Sequence, residues 1–229
     1  NSLARKAVKK ANITYLEKKP ILDIKDAIKK KSFVLNPVKI KKGNPKNEIK
    51  KSKHILEGEL FSGGQDHFYL EGQITLSIPQ EDNNYLLYSS TQHPSETQQI
   101  VAKVLKQKFN SINVKVRRIG GGFGGKETQS FIFSAIATLL SKHTSCPVKL
   151  RIDRDDDMII TGKRHDFYYK YKVGFDNKGK VNGINIILAS RCGFSADLSG
   201  AINDRAIFHI DNAYYLPNIE LISYRCKTN

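Results

Sequence analysis

Cysteine is scarce in this 229-residue chain: Cys146, Cys192 and Cys226 are odd in number, far apart, and in no C-x-x-C pair. That pattern excludes a disulfide framework and a thiolate zinc site, and it fits a reducing, cytoplasmic setting. The histidines do not fill the gap. His67, His93, His165 and His209 lack metal-ligand spacing and read as structural or hydrogen-bonding groups. Apolar runs are short, none approaching the roughly 20 residues of a membrane span, and no signal-peptide pattern opens the chain. Repeats and low-complexity segments are lacking too. There is no initiating methionine, and Cys226-Lys227-Thr228-Asn229 brings no closing element, so the chain reads as a fragment of a longer protein.

Acidic residues are short by comparison with basic ones, giving a net charge of +16. A basic balance invites nucleic-acid binding, but the distribution argues otherwise. Residues 1–53 carry 17 Lys/Arg against 4 Asp/Glu, a balance of +13, and the other 176 residues carry only +3. One of those 17 bases is arginine, and few aromatics are interleaved for base stacking. A solvated, lysine-biased face is the simpler reading, with contact to an acidic partner domain as the functional one. No nucleic-acid or membrane partner is expected.

The pattern along the chain is α+β, mixed sheets with packed helices. A short polar helix opens it, then a brief strand at Asn12–Leu16, a helix at Asp23–Lys31 capped by Asp23, and a loop at Gly43–Asn47. Ile74, Leu76 and Ile78 alternate with Thr75 and Ser77 as a half-buried strand does, and Tyr85–Tyr88 forms its hairpin partner. Helices follow at Pro94–Phe109 and Thr128–Lys142, with a strand at Asn113–Arg118 between them. Pro147–Asp153 reads as a strand, and Asp155-Asp156-Asp157 as a solvated helix start. Phe167–Phe175 and Val181–Ala189 are joined by the turn Asp176–Gly179. Leu198–His209 is helical and Ile219–Arg225 is a final strand.

The densest feature is Arg118-Ile119-Gly120-Gly121-Gly122-Phe123-Gly124-Gly125-Lys126-Glu127-Thr128. A strand entering a glycine loop that opens a helix brings bare backbone N–H groups against an anion. Gly120, Gly122 and Gly125 satisfy the dinucleotide spacing G-x-G-x-x-G, although Asp153 comes late for the ribose acid and Phe123 is bulky for a pyrophosphate cradle. Gly120 to Lys126 satisfies most of a phosphate loop, which makes an NTPase one alternative. That pattern fails where Glu127 replaces the hydroxyl that binds Mg²⁺. A basic nucleic-acid or protein interaction module is another alternative.

Several passages in fixed order carry a third reading. They are Gly63 to Glu71, Ser90-Thr91-Gln92-His93-Pro94, Gly120 to Thr128, Gly162-Lys163-Arg164-His165, Asp204 to Asn212, and the terminal Cys226-Lys227-Thr228-Asn229. Together they resemble the molybdenum hydroxylases of the aldehyde oxidase and xanthine dehydrogenase type, in the xanthine dehydrogenase branch. The resemblance implies residues 1–53 as the end of a small α/β, hammerhead-like domain and residues 54–229 as the first part of a molybdopterin-binding domain. It implies hydroxylation of purines, hypoxanthine to xanthine to urate, with oxygen from water. Electrons would leave through 2Fe–2S clusters and FAD to NAD⁺ in other segments or subunits, the parent being a homodimer or heteromer. A distal glutamate base and a later arginine and phenylalanine are expected outside this chain.

Site residues follow from the same resemblance. Gln92, by itself a turn residue making local hydrogen bonds, is implied to donate its amide to an oxo ligand of molybdenum, near the metal without being a ligand. Phe123, otherwise a core ring beneath the loop, is implied beside the metal, with the backbone N–H groups of Gly122 to Gly124 near the cofactor. Glu127, otherwise a favourable acid in a helix's first turn, is implied to bind the purine edge. Arg205, otherwise paired with Asp204 or a surface charge, is implied to face it and stabilise developing negative charge. Gln65 is implied to touch the pterin. Asp66 stands where the family has glutamate, and Gln129 where an arginine is common.

Overall fold

A computed structural model describes residues 2–228 of the chain. The first elements are short: helix α1 (Ser2–Val8), then α2 (Ile24–Lys29), where Asp23 caps the first turn by accepting the Asp26 N–H at 3.0 Å. Asn12–Leu16 forms no strand and is exposed; its β-prone residues find no partner strand, and a strand without a ladder gains nothing. Strand β1 (Phe33–Lys42) leads to helix α3 (Pro45–Lys51). The loop expected at Gly43–Asn47 therefore stops short. Asn44 caps a helix that begins on Pro45, whose fixed φ suits the first helical position.

Two sheets carry the rest. Strands β2 (His54–Ser62), β7 (Phe167–Phe175), β8 (Val181–Arg191) and β9 (Ile219–Cys226) join β1 in the order β1-β9-β8-β7-β2. Only β8 and β9 run parallel in this sheet. It crosses the sequence division at residue 53, since β1 and β2 stand at its opposite edges. Part of the lysine excess of residues 1–53 lies here in ion pairs, Lys39 with Glu220 of β9 and Lys25 with Glu59 of β2, each at 2.6 Å.

The second sheet has the order β5-β4-β3-β6, from β3 (Ile74–Pro79), β4 (Tyr85–Ser89), β5 (Ile112–Lys115) and β6 (Val148–Arg151). Helices α4 (Pro94–Leu105) and α5 (Ser130–Thr144) pack on one face. Their core is Tyr85, Leu87, Val101, Ala102, Leu105, Ile112 and Ala135. Helix α4 stops four residues before the expected Phe109 because Lys106 turns left-handed, φ 54°. The alternation in β3 is real but its polarity is reversed. Thr75 and Ser77 are the buried pair, and Thr75 Oγ1 lies 2.9 Å from Ser134 Oγ of α5 and 3.0 Å from Ser89 Oγ. Small hydroxyl residues on both surfaces let the helix approach closely, and Thr75, Ser89 and Ser134 satisfy one another's hydroxyls. The larger Ile74, Leu76 and Ile78 are left half-buried on the other face.

Helix α6 (Arg154–Ile160) follows β6, and α7 (Ser199–Phe208) lies between β8 and β9. In β8, Leu188 packs with Ile207 of α7 and with Ile219 and Leu221, while adjacent Ala189 packs with Ile24 and Ala27 of α2. Neighbouring strand residues face opposite ways, so α7 and α2 cover opposite faces of the five-stranded sheet. Among the described residues no helix is long and apolar enough to cross a membrane.

Candidate functional site

The glycine run, residues 120–125 with Phe123 inside it, lies between β5 and α5 and is held from three sides. Gln92, between β4 and α4, inserts its carboxamide oxygen into the loop, where it accepts the N–H of Gly124 at 3.0 Å and of Lys126 at 3.2 Å. Its own backbone N–H donates to the Lys126 carbonyl at 2.9 Å. These donors fix which end of the amide is oxygen and leave the NH₂ end as the free donor. Gly122 is required for this approach, because a Cβ there would stand 2.4 Å from the Gln92 oxygen. Gly121 and Gly124 both have φ of +92° and Phe123 between them has φ of 54°, so the chain passes three residues in a region that costs an L side chain about 1 kcal/mol or more. The Phe123 ring is 74% exposed. It does not pack into the core beneath the loop.

Lys126 does the opposite. Its side chain is 0% exposed, and Nζ donates to the Glu71 carbonyl at 2.6 Å and to Ser90 Oγ at 2.7 Å, with Glu71 Oε2 at 3.4 Å and the Tyr69 ring centroid at 4.6 Å. Burial lowers the lysine's pKa against the pull of Glu71. Glu71 is a hub, accepting the Gly120 N–H at 2.8 Å and the Ser90 hydroxyl at 2.6 Å. Burial pushes its carboxyl up, but the Gly120 N–H, the Ser90 hydroxyl and the Lys126 ammonium together hold it below the ordinary value. A lysine spent inward cannot reach a phosphate outside the loop, which removes the NTPase alternative built on Gly120 to Lys126.

A second chain of contacts supports the loop. Gln73 Nε2 donates to the Gly125 carbonyl at 3.0 Å and to the Tyr69 hydroxyl at 2.9 Å, and that hydroxyl donates to Asp157 Oδ1 at 2.7 Å. Burial and the bond to Asp157 push the Tyr69 phenol up to about 12. Asp157 thus corrects the expectation of a solvated acidic helix start: Asp155 and Asp156 are exposed, whereas Asp157 is 2% exposed. Nothing in the triple-Asp string distinguishes the inward residue, which the turn of α6 selects.

Phe123, Glu127 and Arg205 line one cleft of about 540 Å³, together with His67, His165 and Asp197. Glu127 comes from the end of the glycine run and Arg205 from α7. They make no ion pair with each other, and Asp204 pairs with buried Arg225 instead. Arg205 therefore does not have the local partner that its sequence neighbour suggested. Gln65 does not line this cleft but adjoins it through Arg164, which does. It pairs with Arg164 through backbone bonds and through its side-chain oxygen, which accepts from the Arg164 guanidinium at 2.7 Å. It lines a larger neighbouring cleft of about 1060 Å³ that reaches α4, α5 and α6. Gln129 accepts the Gly162 N–H at 3.1 Å and donates to Asp197 at 3.3 Å. Among the described residues no three His, Cys, Asp or Glu side chains gather as metal ligands.

Residues 26–229 match the molybdopterin cofactor-binding domain family. The chain is 44% identical over 227 residues to xanthine dehydrogenase/oxidase of Gallus gallus, covering 99% of this chain and 17% of the relative. It is 44% identical to xanthine dehydrogenase of Dictyostelium discoideum and 40% identical to aldehyde oxidase 2 of Macaca fascicularis, again over 99% of the chain and 17% of each relative. Among solved structures, aldehyde oxidoreductase from Desulfovibrio gigas superposes with a TM-score of 0.86 at 18% identity, over 100% of this chain and 27% of that one. Quinoline 2-oxidoreductase from Pseudomonas putida does so at 0.85 and 18%, over 99% of this chain and 30% of that one. The mixed-sheet fold expected from the sequence is the fold of these proteins.

Proposed function

The chain belongs to the molybdopterin cofactor-binding domain family, and from that premise we propose that it forms one wall of the active centre of a purine-oxidising molybdenum hydroxylase. The proposed reaction takes hypoxanthine to xanthine and xanthine to urate, with oxygen drawn from water. Electrons then pass to 2Fe–2S clusters, FAD and NAD⁺ in parts of the protein outside this chain. The observation that carries the purine reading is the shared cleft of Phe123, Glu127 and Arg205.

The residues at the glycine run suit molybdopterin as a group that brings its own metal ligands. Gln92 has its oxygen occupied by the loop and its NH₂ end free, so it offers a neutral donor to an oxo group without adding charge. Gly124, half-buried and with only His67 Nε2 near where a Cβ would stand, at 3.8 Å, offers backbone that another molecule can approach closely. Bound, the cofactor supplies the two-electron redox centre. The chain's own residues do the rest. Glu127 accepts from an N–H on the purine edge, and Arg205 opposes it, stabilising negative charge that grows on the ring as C–H is replaced by C–O. Phe123 presents an exposed ring that limits water at the reacting face. Gln65, engaged with Arg164, serves the pterin side of the site in this reading.

The test uses the complete protein carrying this segment. Glu127→Val and Arg205→Met are each expected to lower kcat/KM for xanthine by about 10²-fold or more, with much smaller losses on a small aldehyde. Aldehyde oxidase 2 is itself a 40% identical relative, so equal losses on both substrates contradict the purine assignment.

A further inference from the structure

Glu127 and Arg205 sit on separate elements, and the cleft they share has a definite width only if something fixes one wall against the other. The contacts that do so converge on Asp197. Its Oδ2 accepts the Thr128 hydroxyl at 3.0 Å and the Gln129 amide at 3.3 Å. Thr128 is the residue after Glu127, and Asp197 lies two residues before α7, the helix that carries Arg205. Gln129 passes the link on by accepting the Gly162 N–H at 3.1 Å. The segment after Gly162 returns to α7 through His165, whose Nε2 lies 2.7 Å from Ser199 Oγ. The helix is also fixed to the sheet by buried Asn203, which donates to Ser190 Oγ at 2.7 Å and accepts from Ser223 Oγ at 3.2 Å. Arg205 therefore rides on a helix tied at its first turn to the residues flanking Glu127. Asp197 itself has φ of 37°, a left-handed conformation that aspartate tolerates better than most residues.

We propose that Asp197 is a positioning residue that clasps the two walls of the cleft and so sets its selectivity for a substrate that must touch both at once. The inference rests on the reading of Glu127 and Arg205 as the purine-binding pair. A purine spans from the carboxylate to the guanidinium and loses binding when the walls drift. A small aldehyde needs contact with only one wall and is less sensitive to their spacing.

Asp197→Gly removes both acceptor bonds while keeping the positive φ free of strain. Asp197→Asn keeps one carbonyl to accept the Thr128 hydroxyl. Asp197 is solvent-exposed, and such substitutions rarely threaten folding. In the complete protein, Asp197→Gly is expected to raise xanthine KM about tenfold, with a smaller change in kcat. The dissociation constant of uric acid, measured by equilibrium dialysis without turnover, should rise to match. The loss on xanthine should exceed that on a small aldehyde by about fivefold, and Asp197→Asn should recover part of it. Hydrogen exchange at residues 162–165 and 198–203 should quicken in Asp197→Gly. Unchanged exchange overturns the clasp whatever the substrate. Quickened exchange with no KM or uric acid change removes its role in selectivity, as does an Asp197→Asn variant no better than Asp197→Gly. If Asp197→Gly is silent while Glu127→Val and Arg205→Met impair xanthine, the clasp fails and the purine reading stands. If those two act equally on both substrates, the purine reading fails and selectivity through Asp197 fails with it.

Discussion

Gln92 shows how one side chain serves two partners by using its two ends separately. Its oxygen closes the glycine run on Gly124 and Lys126, which orients the NH₂ group away from those bonds. Gln92→Ala should accelerate hydrogen exchange at the Gly124 and Lys126 amides, and exchange at those amides equal to the parent protein's would contradict that role. Lys126 works by burial. Replacing it with methionine leaves the Glu71 carbonyl without its ammonium donor, and an unsatisfied buried acceptor costs about 1–3 kcal/mol. A matching fall in the local opening free energy of residues 116–129, read by hydrogen exchange, is the expected outcome. The Gly-Lys-Glu-Thr string could suggest a phosphate-binding lysine because sequence spacing carries no information on whether a side chain points in or out. Glu71 supplies that information from 55 residues away.

At the scale of the element, the glycine run behaves as a strap fastened by a carboxylate. The Glu71 carboxyl is held below its ordinary value of 4.5, so its contribution is fully present above that pH. It is lost as pH falls below 4.5 and through the lowered folded value, because protonation removes the acceptor for Gly120 and the partner of Lys126. Proteolytic cutting within residues 116–129 should therefore rise on acidification below about pH 4.5, and the Glu71→Gln variant should lack that step. Strand β3 and helix α5 teach a related lesson. Periodicity located both elements, yet the buried face of β3 is the one carrying Thr75 and Ser77, where the Ser134 hydroxyl of α5 meets Thr75 and the small Ser77 leaves room for the helix. Hydrophobic alternation marks the two faces of a strand; the neighbouring helix decides which one is covered.

For the molecule as a whole, the clean division is between two sheets with their own helices, bridged where the glycine run, Gly162–His165 and the start of α7 meet. Leu188 anchors that meeting from behind, since it is fully buried with Ile207 of α7. Leu188→Ala should cost about 2–5 kcal/mol, seen as a loss of exchange protection in β8 and α7, and should raise xanthine KM through a displaced Arg205. The chain spans 17% of the length of the xanthine dehydrogenase and aldehyde oxidase relatives described above.

The sequence by itself determined the α+β class, the extents of most helices and strands, and the glycine run, since these depend on periodicity, capping and turn chemistry within a few residues. The family passages were also legible, each being a short local string. Tertiary structure alone decided that Lys126 and Asp157 are buried, that Phe123 is exposed, and that Thr75 and Ser77 face inward. It alone brought Glu127 and Arg205 to one cleft and Gln65 to an adjoining one, with Asp197 lining both. Those outcomes depend on contacts between residues tens of positions apart, where burial and hydrogen-bond supply are set by the packed neighbours and not by the local string.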